Sequence, residues 1–579
     1  MKKFLPVLVF AILFVAPLQA QEPVLPNYLT ENEKSILPNY TFGQDSRTPA
    51  PTGPVRTMAE WEEVEYLVVT WQPSFPNILR QIVEAAVEEC KVIITTQNET
   101  SVANYLSSNG VDLTNITFMD VDWDSIWIRD YAGNTIYSDD VGERALVDWI
   151  YNRPRPNDDV MPSSHATTTG LPIYITDSGT NDLVNTGGNF MSDGMGNAFA
   201  SELILEENEP GNPYGVTPKT EAEIDQIMED YMGISTYIKM TALPYDVIHH
   251  IDMHMKLLDE ETLLVSKYPE GVADGPQIEA NIDYVLSNFQ STFGTPYDVK
   301  WIDAPPSSSG LYPDNGGYYR TFTNATFVNK TILVPIYRPE VDGPALAQWE
   351  EMMPGYTIVG IDVDNQGENL ISQVGAIHCI THTIGVADPL WIVHQKIDEA
   401  EANTTVPVEA QIKHISGIAS ASVFWKEETA ANWTETAMTA AGTDMWTADI
   451  TIPNTEENIQ YYISAEANSG KTQVRPIVAP EGYWTMNLGG VLNTNSFENA
   501  IVAGPFPNPA NNTVSFGFDS DIANVQVVVH NVLGQELMNS EYTLYNGSLT
   551  VSLPANWSGT LFFSLTTQKG TTVKKVLKQ

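Results

Sequence analysis

Residues 77–96 read NILRQIVEAAVEECKVIITT. In residues 77–90 the apolar side chains Ile78, Leu79, Ile82, Val83, Ala86 and Val87 recur at helical spacing, and residues 91–96 form a β-rich apolar run. A helix with one apolar face running into a buried strand is the unit of an α/β protein, and the pattern continues outward. Residues 116–121, 145–151 and 331–336 read as further strands, while Ile278, Ile282, Val285, Leu286 and Phe289 give another helical stripe. Residues 53–397 are therefore expected to form one α/β unit of catalytic size. Cys90, at the end of the first helix, reads as a core residue.

The chain opens on Met1-Lys2-Lys3, an apolar run, and small residues up to Ala20, the pattern of a secretory signal peptide over residues 1–20. Residues 21–52 read as a pro- or linker segment. No later stretch is apolar enough to span a bilayer, so an exported protein is expected. Only two cysteines occur, Cys90 and Cys379, and a bridge between them would consume the one candidate nucleophile. Acidic residues outnumber basic ones 73 to 28, for a net charge of −45. That balance argues against nucleic acid and anionic membrane as partners; solubility accounts for most of it.

After residue 397 the pattern changes. Residues 421–425, 446–452 and 460–467 are short β-rich runs between polar turns, and an immunoglobulin-like sandwich is expected over residues 404–488. Residues 499–579 hold Pro507-Asn508-Pro509-Ala510, a strand over 525–530, the turn Asn531-Val532-Leu533-Gly534-Gln535 and a basic end, Lys574-Lys575-Val576-Leu577-Lys578. This piece resembles the C-terminal sorting domain of proteins exported by the type IX system. The resemblance implies a small β-sandwich, the secretion machinery as a partner, and a cell-surface or secreted destination.

Polar residues cluster in four segments of the α/β unit: Asp124 to Tyr131, His249 to His254, Tyr319 to Asn324, and Gly375 to Thr381. If the second is extended, His250, Asp252 and His254 share a face and suit a metal such as zinc. A surface histidine cluster, or an acid/base histidine beside a carboxylate, fits the same residues. Cys379, flanked by His378 and Ile380, reads as a nucleophile or as a small buried hydrophobe.

Glu60-Trp61-Glu62, Trp127-Ile128-Arg129-Asp130, Thr186-Gly187-Gly188-Asn189, His250-Ile251-Asp252, Asn324 and His378-Cys379-Ile380-Thr381 resemble, in type and order, the motifs of the agmatine deiminase and bacterial peptidylarginine deiminase family. The resemblance implies a pentein, a five-bladed β/α propeller with a central active site. It implies that Asp130 and Asp252 bind the guanidinium in forked ion pairs. Cys379 would attack its carbon, and His250 would move protons to ammonia and from water. Asn324 would orient the nucleophile, and Trp127 would pack on the substrate. No metal and no other cofactor is implied, which sets aside zinc at His254.

Arg153 and Arg155, in Tyr151-Asn152-Arg153-Pro154-Arg155-Pro156-Asn157-Asp158-Asp159, resemble the peptidyl branch and imply a clamp for the α-carboxylate of a C-terminal arginine. Pairing with Asp158 and Asp159 is the simpler structural role for them. Met253, His254, Phe322 and the long acidic segment 203–218 depart from that branch. The expected protein is a calcium-independent peptidylarginine deiminase acting on peptides or proteins that end in arginine. Agmatine or free-arginine deimination and a non-catalytic surface adhesin are the alternatives.

Overall fold

The computed structural model describes residues 24–42, 48–176, 179–488, 501–518, 522–531, 535–544, 547–567 and 570–578. The expected signal peptide, and the centre of the turn between Asn531 and Gln535, lie outside them. Two units emerge: one holds residues up to 400 with 404–452 and 459–486, the other 401–403, 453–458 and 487 onward.

The α/β region is built five times over from a single device. An antiparallel strand pair is followed by a helix and then by a third strand parallel to the second. Asn134–Ser138, Arg144–Asp148 and Ile173–Ile175 form one such set, and Met191–Ser192, Asn197–Ser201 and Thr236–Met240 the next. Met255–Leu257, Thr262–Lys267 and Asp298–Asp303 follow, then Thr326–Val328, Thr331–Ile336 and Thr357–Asp362. In the fifth set Val64–Thr70 runs through helix Pro76–Ala86 into the parallel strand Lys91–Thr95. Its antiparallel partner, His382–Gly385, comes from the far end of the region, so the last strand closes onto the first sheet.

Local chemistry sets these elements. Helix Pro76–Ala86 starts on a proline whose missing N–H is no loss, and the Glu368 carboxylate takes the amides of Asn77 and Ile78 at 2.9 and 2.8 Å. Helix Glu221–Met232 opens on a Thr220/Glu223 capping box and ends on Gly233 at φ +69°. A side chain at Gly233 would strike the carbonyl of Val55. Ile78, Leu79, Ile82 and Val83 are wholly buried in the main core, as the helical spacing predicts.

Three expectations need correction. The first helix stops at Ala86, and Cys90 lies beyond it in a turn, its amide bonded to the carbonyl of Ala86. The strand expected over 145–151 breaks at Trp149 into Arg144–Asp148 and Ile150–Tyr151, and the second piece turns to pair with Val184–Asn185. The segment from His250 to His254 is not extended: Ile251–Met253 is a 3₁₀ turn, so the shared face does not exist. Cys90 and Cys379 are both free.

Residues beyond 404 in the first unit form two antiparallel sheets. One joins Thr405–Lys413 and Met445–Thr451 to Trp391–Val393; the other centres on Ile418–Glu427 and Ile459–Ala467. In the second unit, Asn524–Asn531, Glu536–Thr543, Gly559–Thr567 and Gly570–Lys578 form one sheet, and Ile501–Phe506, Thr513–Phe518 and Ser548–Ser552 another. Val527, Val529, Phe563 and Leu565 are buried in its core.

Candidate active site

Each of the five sets contributes one polar segment at the same point, just before its first antiparallel strand. Asp130 precedes Asn134–Ser138, Gly188 precedes Met191–Ser192, Asp252 precedes Met255–Leu257, Asn324 precedes Thr326–Val328, and Cys379 precedes His382–Gly385. Four of these segments are single helical turns: Ile128–Tyr131, Gly187–Asn189, Ile251–Met253 and His378–Ile380. Residues scattered over 250 positions are thereby brought together.

Cys379 is fully buried. Its Sγ lies 3.5 Å from Oδ2 of Asp252, 3.3 Å from the amide nitrogen of Asn324 and 4.0 Å from the sulfur of Met253. Asn324 ties three segments together. Its side-chain oxygen accepts from the amide of His378 at 3.0 Å, and its nitrogen donates to the carbonyl of Asp252 at 3.2 Å. Asn324 thus caps a turn, and the turn it caps carries the cysteine.

Asp130 accepts from the Gly188 amide at 3.2 Å, and its Oδ1 stands 3.4 Å from Nδ1 of His250. Asp130 does not pair with Arg129, which reaches Glu60 at 3.4 Å and the carbonyl of His378 at 3.3 Å. Asp130 Oδ2, Asp252 Oδ1 and both ring nitrogens of His250 are buried with no partner in hydrogen-bonding geometry. Buried polar groups of this kind are costly unless partners meet them, and for the two carboxylate oxygens a planar cation with several N–H groups has the matching chemistry.

The electrostatics divide the two carboxyls. Burial and the neighbouring charge of Asp252 push Asp130 up to about 7, against Arg153, Thr186 and Gly188. Burial also opposes ionisation of Asp252, but its bond to His378 at 2.7 Å, and the charges of His378 and Arg129, hold it below the usual carboxylate range. Burial lowers His250 to about 3, leaving a neutral imidazole. Burial, then Asp252 and Asp130, raise the Cys379 thiol well above its ordinary value. Cys379 therefore rests as a thiol, and a cation between the carboxylates would remove the main charge opposing its ionisation.

A buried charge relay behind the cysteine was not foreseen. His378 places its other ring nitrogen 2.6 Å from Glu60, which also meets Lys256 and Arg129. Against the cost of burial, these three hold Glu60 far below the usual carboxylate range. Glu60 and His378 stand inside the recognised motifs, but nothing in their spacing shows that they meet. Lys256 carried no signal at all.

Two glycines act by close approach. A Cβ at Gly188 would run into Nδ1 of His250 and Oδ1 of Asp130, and one at Gly187 into the carbonyl of Arg129. Gly188→Ala is expected to cost about 100-fold in kcat/KM by displacing both groups. Steady-state assays on folded protein check this; an unchanged rate would contradict the geometry. Gly375 abuts the ring of Trp127 in the same way, after Val374 at a left-handed φ of +63°.

Trp127 is fully buried, and its indole nitrogen donates to the carbonyl of Leu25 at 2.9 Å. Arg153 donates to the carbonyl of Asn27 at 3.1 Å, and its charge acts on Asp130 and His250. Arg155 pairs with Glu33 at 2.7 Å. Asp158 instead accepts from the amides of Asp124 and Ser125, and Asp159 from that of Tyr151. Among the described residues no three His, Cys, Asp or Glu side chains form a metal-holding group. His254 is buried, its imidazole lowered to about 4 by burial against the charge of Asp252.

Residues 56–384 match the family of Porphyromonas-type peptidyl-arginine deiminases, and residues 505–579 match the secretion system C-terminal sorting domain. The chain belongs to that deiminase family and is a hydrolase acting on the C–N bonds of linear amidines. A Yersinia pestis protein provisionally named agmatine deiminase is 24% identical over 359 residues, spanning 57% of this chain and 95% of its own. One of the same provisional name from Shewanella baltica is 25% identical over 300 residues, 47% of this chain and 76% of its own. A solved structure also provisionally titled agmatine deiminase superposes with a TM-score of 0.50 at 21% identity, covering 59% of this chain and 100% of its own. The catalytic region therefore shares the mixed α/β fold of these deiminases. The sorting domain directs the chain through type IX secretion to the cell surface or beyond. No helix among the described residues is long and apolar enough to cross a membrane.

Proposed function

We propose that the protein is a calcium-independent peptidylarginine deiminase that converts C-terminal arginine to citrulline and ammonia. The observation that carries this reading is the buried meeting of a thiol, two carboxylates and a neutral imidazole: Cys379 lies 3.5 Å from Asp252, and Asp130 lies 3.4 Å from His250. Asp130 and Asp252 grip the guanidinium nitrogens, and Trp127 packs beside it. The cation lowers the barrier to ionising Cys379, whose proton passes to neutral His250. Sulfur attacks the guanidinium carbon; His250 returns the proton to the departing nitrogen, and ammonia leaves behind a covalent thiouronium. His250 then takes one proton from water, whose oxygen becomes the ureido oxygen of citrulline as the C–S bond breaks; the second water proton goes to the departing sulfur, and His250 gives its proton to solvent. Asn324 holds the sulfur in line throughout. No metal takes part.

We also infer that the five sheets are the blades of one propeller, supported by the fivefold recurrence of strand pair, helix and parallel strand. Residues 53–397 are read as this deiminase domain, 404–488 as an immunoglobulin-like module and 499–579 as the sorting domain.

Peptide specificity rests on Arg153 and Arg155, two buried guanidiniums whose partners are carbonyls and a carboxylate outside the catalytic cluster. A citrulline assay over agmatine, free arginine, and peptides with internal or terminal arginine tests it. Terminal arginine is expected to be preferred, with the Arg153→Ala/Arg155→Ala protein losing about 100-fold on it. The second reading, an agmatine deiminase, draws on the names of the Yersinia and Shewanella relatives and would be adopted if agmatine is the best substrate and the double variant is unaffected.

A pH profile follows from Asp130. With a pKa near 7 in the free enzyme, its carboxyl is neutral below that pH and cannot pair with a guanidinium. The kcat/KM is therefore expected to fall about tenfold per unit as pH drops below about 7, and to level off above. A flat profile between about pH 5 and 8 would show that Asp130 does not gate binding.

A further inference from the structure

Residues 24–42 lie along the catalytic unit and meet the groups that surround the buried cluster. Leu25 takes the Trp127 indole proton through its carbonyl at 2.9 Å, and Pro26 accepts from Arg155 at 2.8 Å. Asn27 accepts from Arg153 at 3.1 Å and donates its own amide to the carbonyl of Gln373, two residues from Gly375, at 2.9 Å. Three successive peptide carbonyls are thus bound by the three side chains that the proposed function gives to the substrate. Glu33 completes the pattern. Its carboxylate meets Nε of Arg155 at 2.7 Å, and Thr30 braces it from behind through a capping box.

Glu33 keeps its charge although buried. Burial opposes this, while Arg155 and Thr30 outweigh it and leave the carboxyl below its ordinary range. Apolar side chains fasten the segment: Leu37 and Phe42 are buried with Ile150, Val184, Tyr214 and Val216, and Phe42 stands edge-on to Tyr214 at 5.1 Å. The motif Leu-Pro-Asn-Tyr occurs twice in it, at residues 25–28 and 37–40, once at the arginines and once at this apolar anchor. Between segment and domain lies a cavity of about 410 Å³, bounded by Tyr28 and Leu29 on one side and by Arg153, Glu207 and His249 on the other. Cys379, Asp130 and His250 are wholly buried.

We propose that the groove formed by Trp127, Arg153, Arg155 and Gln373 is a binding site for a peptide main chain with a carboxylate, and that residues 24–42 are its resident ligand, holding the enzyme latent until they are cut away. The inference rests on the deiminase reading for its assay and adds to it what the groove recognises and what must leave before substrate enters. The groove grips main-chain carbonyls, which agmatine lacks, so it favours peptides as substrates. Release by proteolysis would confine activity to the exported protein.

The test uses the full chain with a protease recognition sequence inserted directly after Phe42. Two readouts are taken before and after cleavage, with removal of the fragment confirmed by mass. The first is kcat/KM on a peptide ending in arginine; the second is the rate at which 2-chloroacetamidine, a small amidinium electrophile, alkylates Cys379. Both are expected to rise at least tenfold, and a synthetic peptide of residues 24–42 should suppress both again. Glu33→Ala in the uncut chain should speed alkylation without cleavage. Equal alkylation and turnover before and after removal would overturn the inference and leave the deiminase reading standing. Faster alkylation with no citrulline from any guanidine would sink the assigned reaction and leave the occupied groove standing.

Discussion

Cys379→Ser should abolish citrulline formation, with kcat falling by about 10⁴-fold or more. The change replaces one atom, and the site has room for it: the sulfur sits 3.3 Å from Asn324 and 3.5 Å from Asp252 in a pocket fixed by the backbone bonds of the His378–Ile380 turn. Fold and substrate binding should therefore survive. What is lost is the ability to ionise. Burial and two carboxylates already raise the thiol, and a hydroxyl in the same place would be far harder to deprotonate even with a cation bound. The result should be a protein that binds a terminal-arginine peptide at nearly unchanged affinity and does not turn it over. Calorimetry and a citrulline assay on one sample separate the two. Residual turnover within about tenfold of the parent would require another nucleophile.

Asp130→Asn carries the next largest effect. The carboxylate is fully buried, accepts from Gly188 and faces His250, with its second oxygen unpaired. An asparagine keeps the shape but cannot form the forked ion pair, and its NH₂ group would face guanidinium donors. Loss of one charged partner in a buried pair costs about 3–5 kcal/mol, which is about 10²–10⁴-fold in kcat/KM. The same substitution removes the group that titrates near 7, so the acid limb of the pH profile should vanish with it. Measuring the profile of the variant decides the point. A lost rate with the limb intact would mean that another residue gates binding.

How far this was readable from the chain differs by level. The α/β alternation was plain, because helix 76–86 and strand 91–95 carry clean apolar periods and their side chains are buried as those periods require. The fivefold repetition was not, because the five sets share geometry and almost no sequence: the second pair has only Met191–Ser192 as its first strand, and the fifth borrows His382–Gly385 from over 300 residues away. Motif resemblance picks out Cys379, His250, Asp130, Asp252 and Asn324, and the structure brings these residues together. Period-2 reasoning on His250 to His254 pointed wrongly, since a 3₁₀ turn turns those side chains apart. Glu60, His378 and Lys256 form a relay across some 320 positions, and charge pairing over such separations leaves no local trace. Residues 21–52 read as a pro- or linker segment, but their contacts leave no local trace: Glu33 is unremarkable until Arg155 is found beside it.

The most direct test of the chemistry is the intact mass of the protein quenched in acid during turnover of a peptide ending in arginine, with the modified residue located by fragmentation. An adduct on Cys379 equal to the peptide less one ammonia is predicted, accumulating further when His250 is replaced by alanine. A turning-over enzyme with no adduct, or with one on any other side chain, would contradict the account.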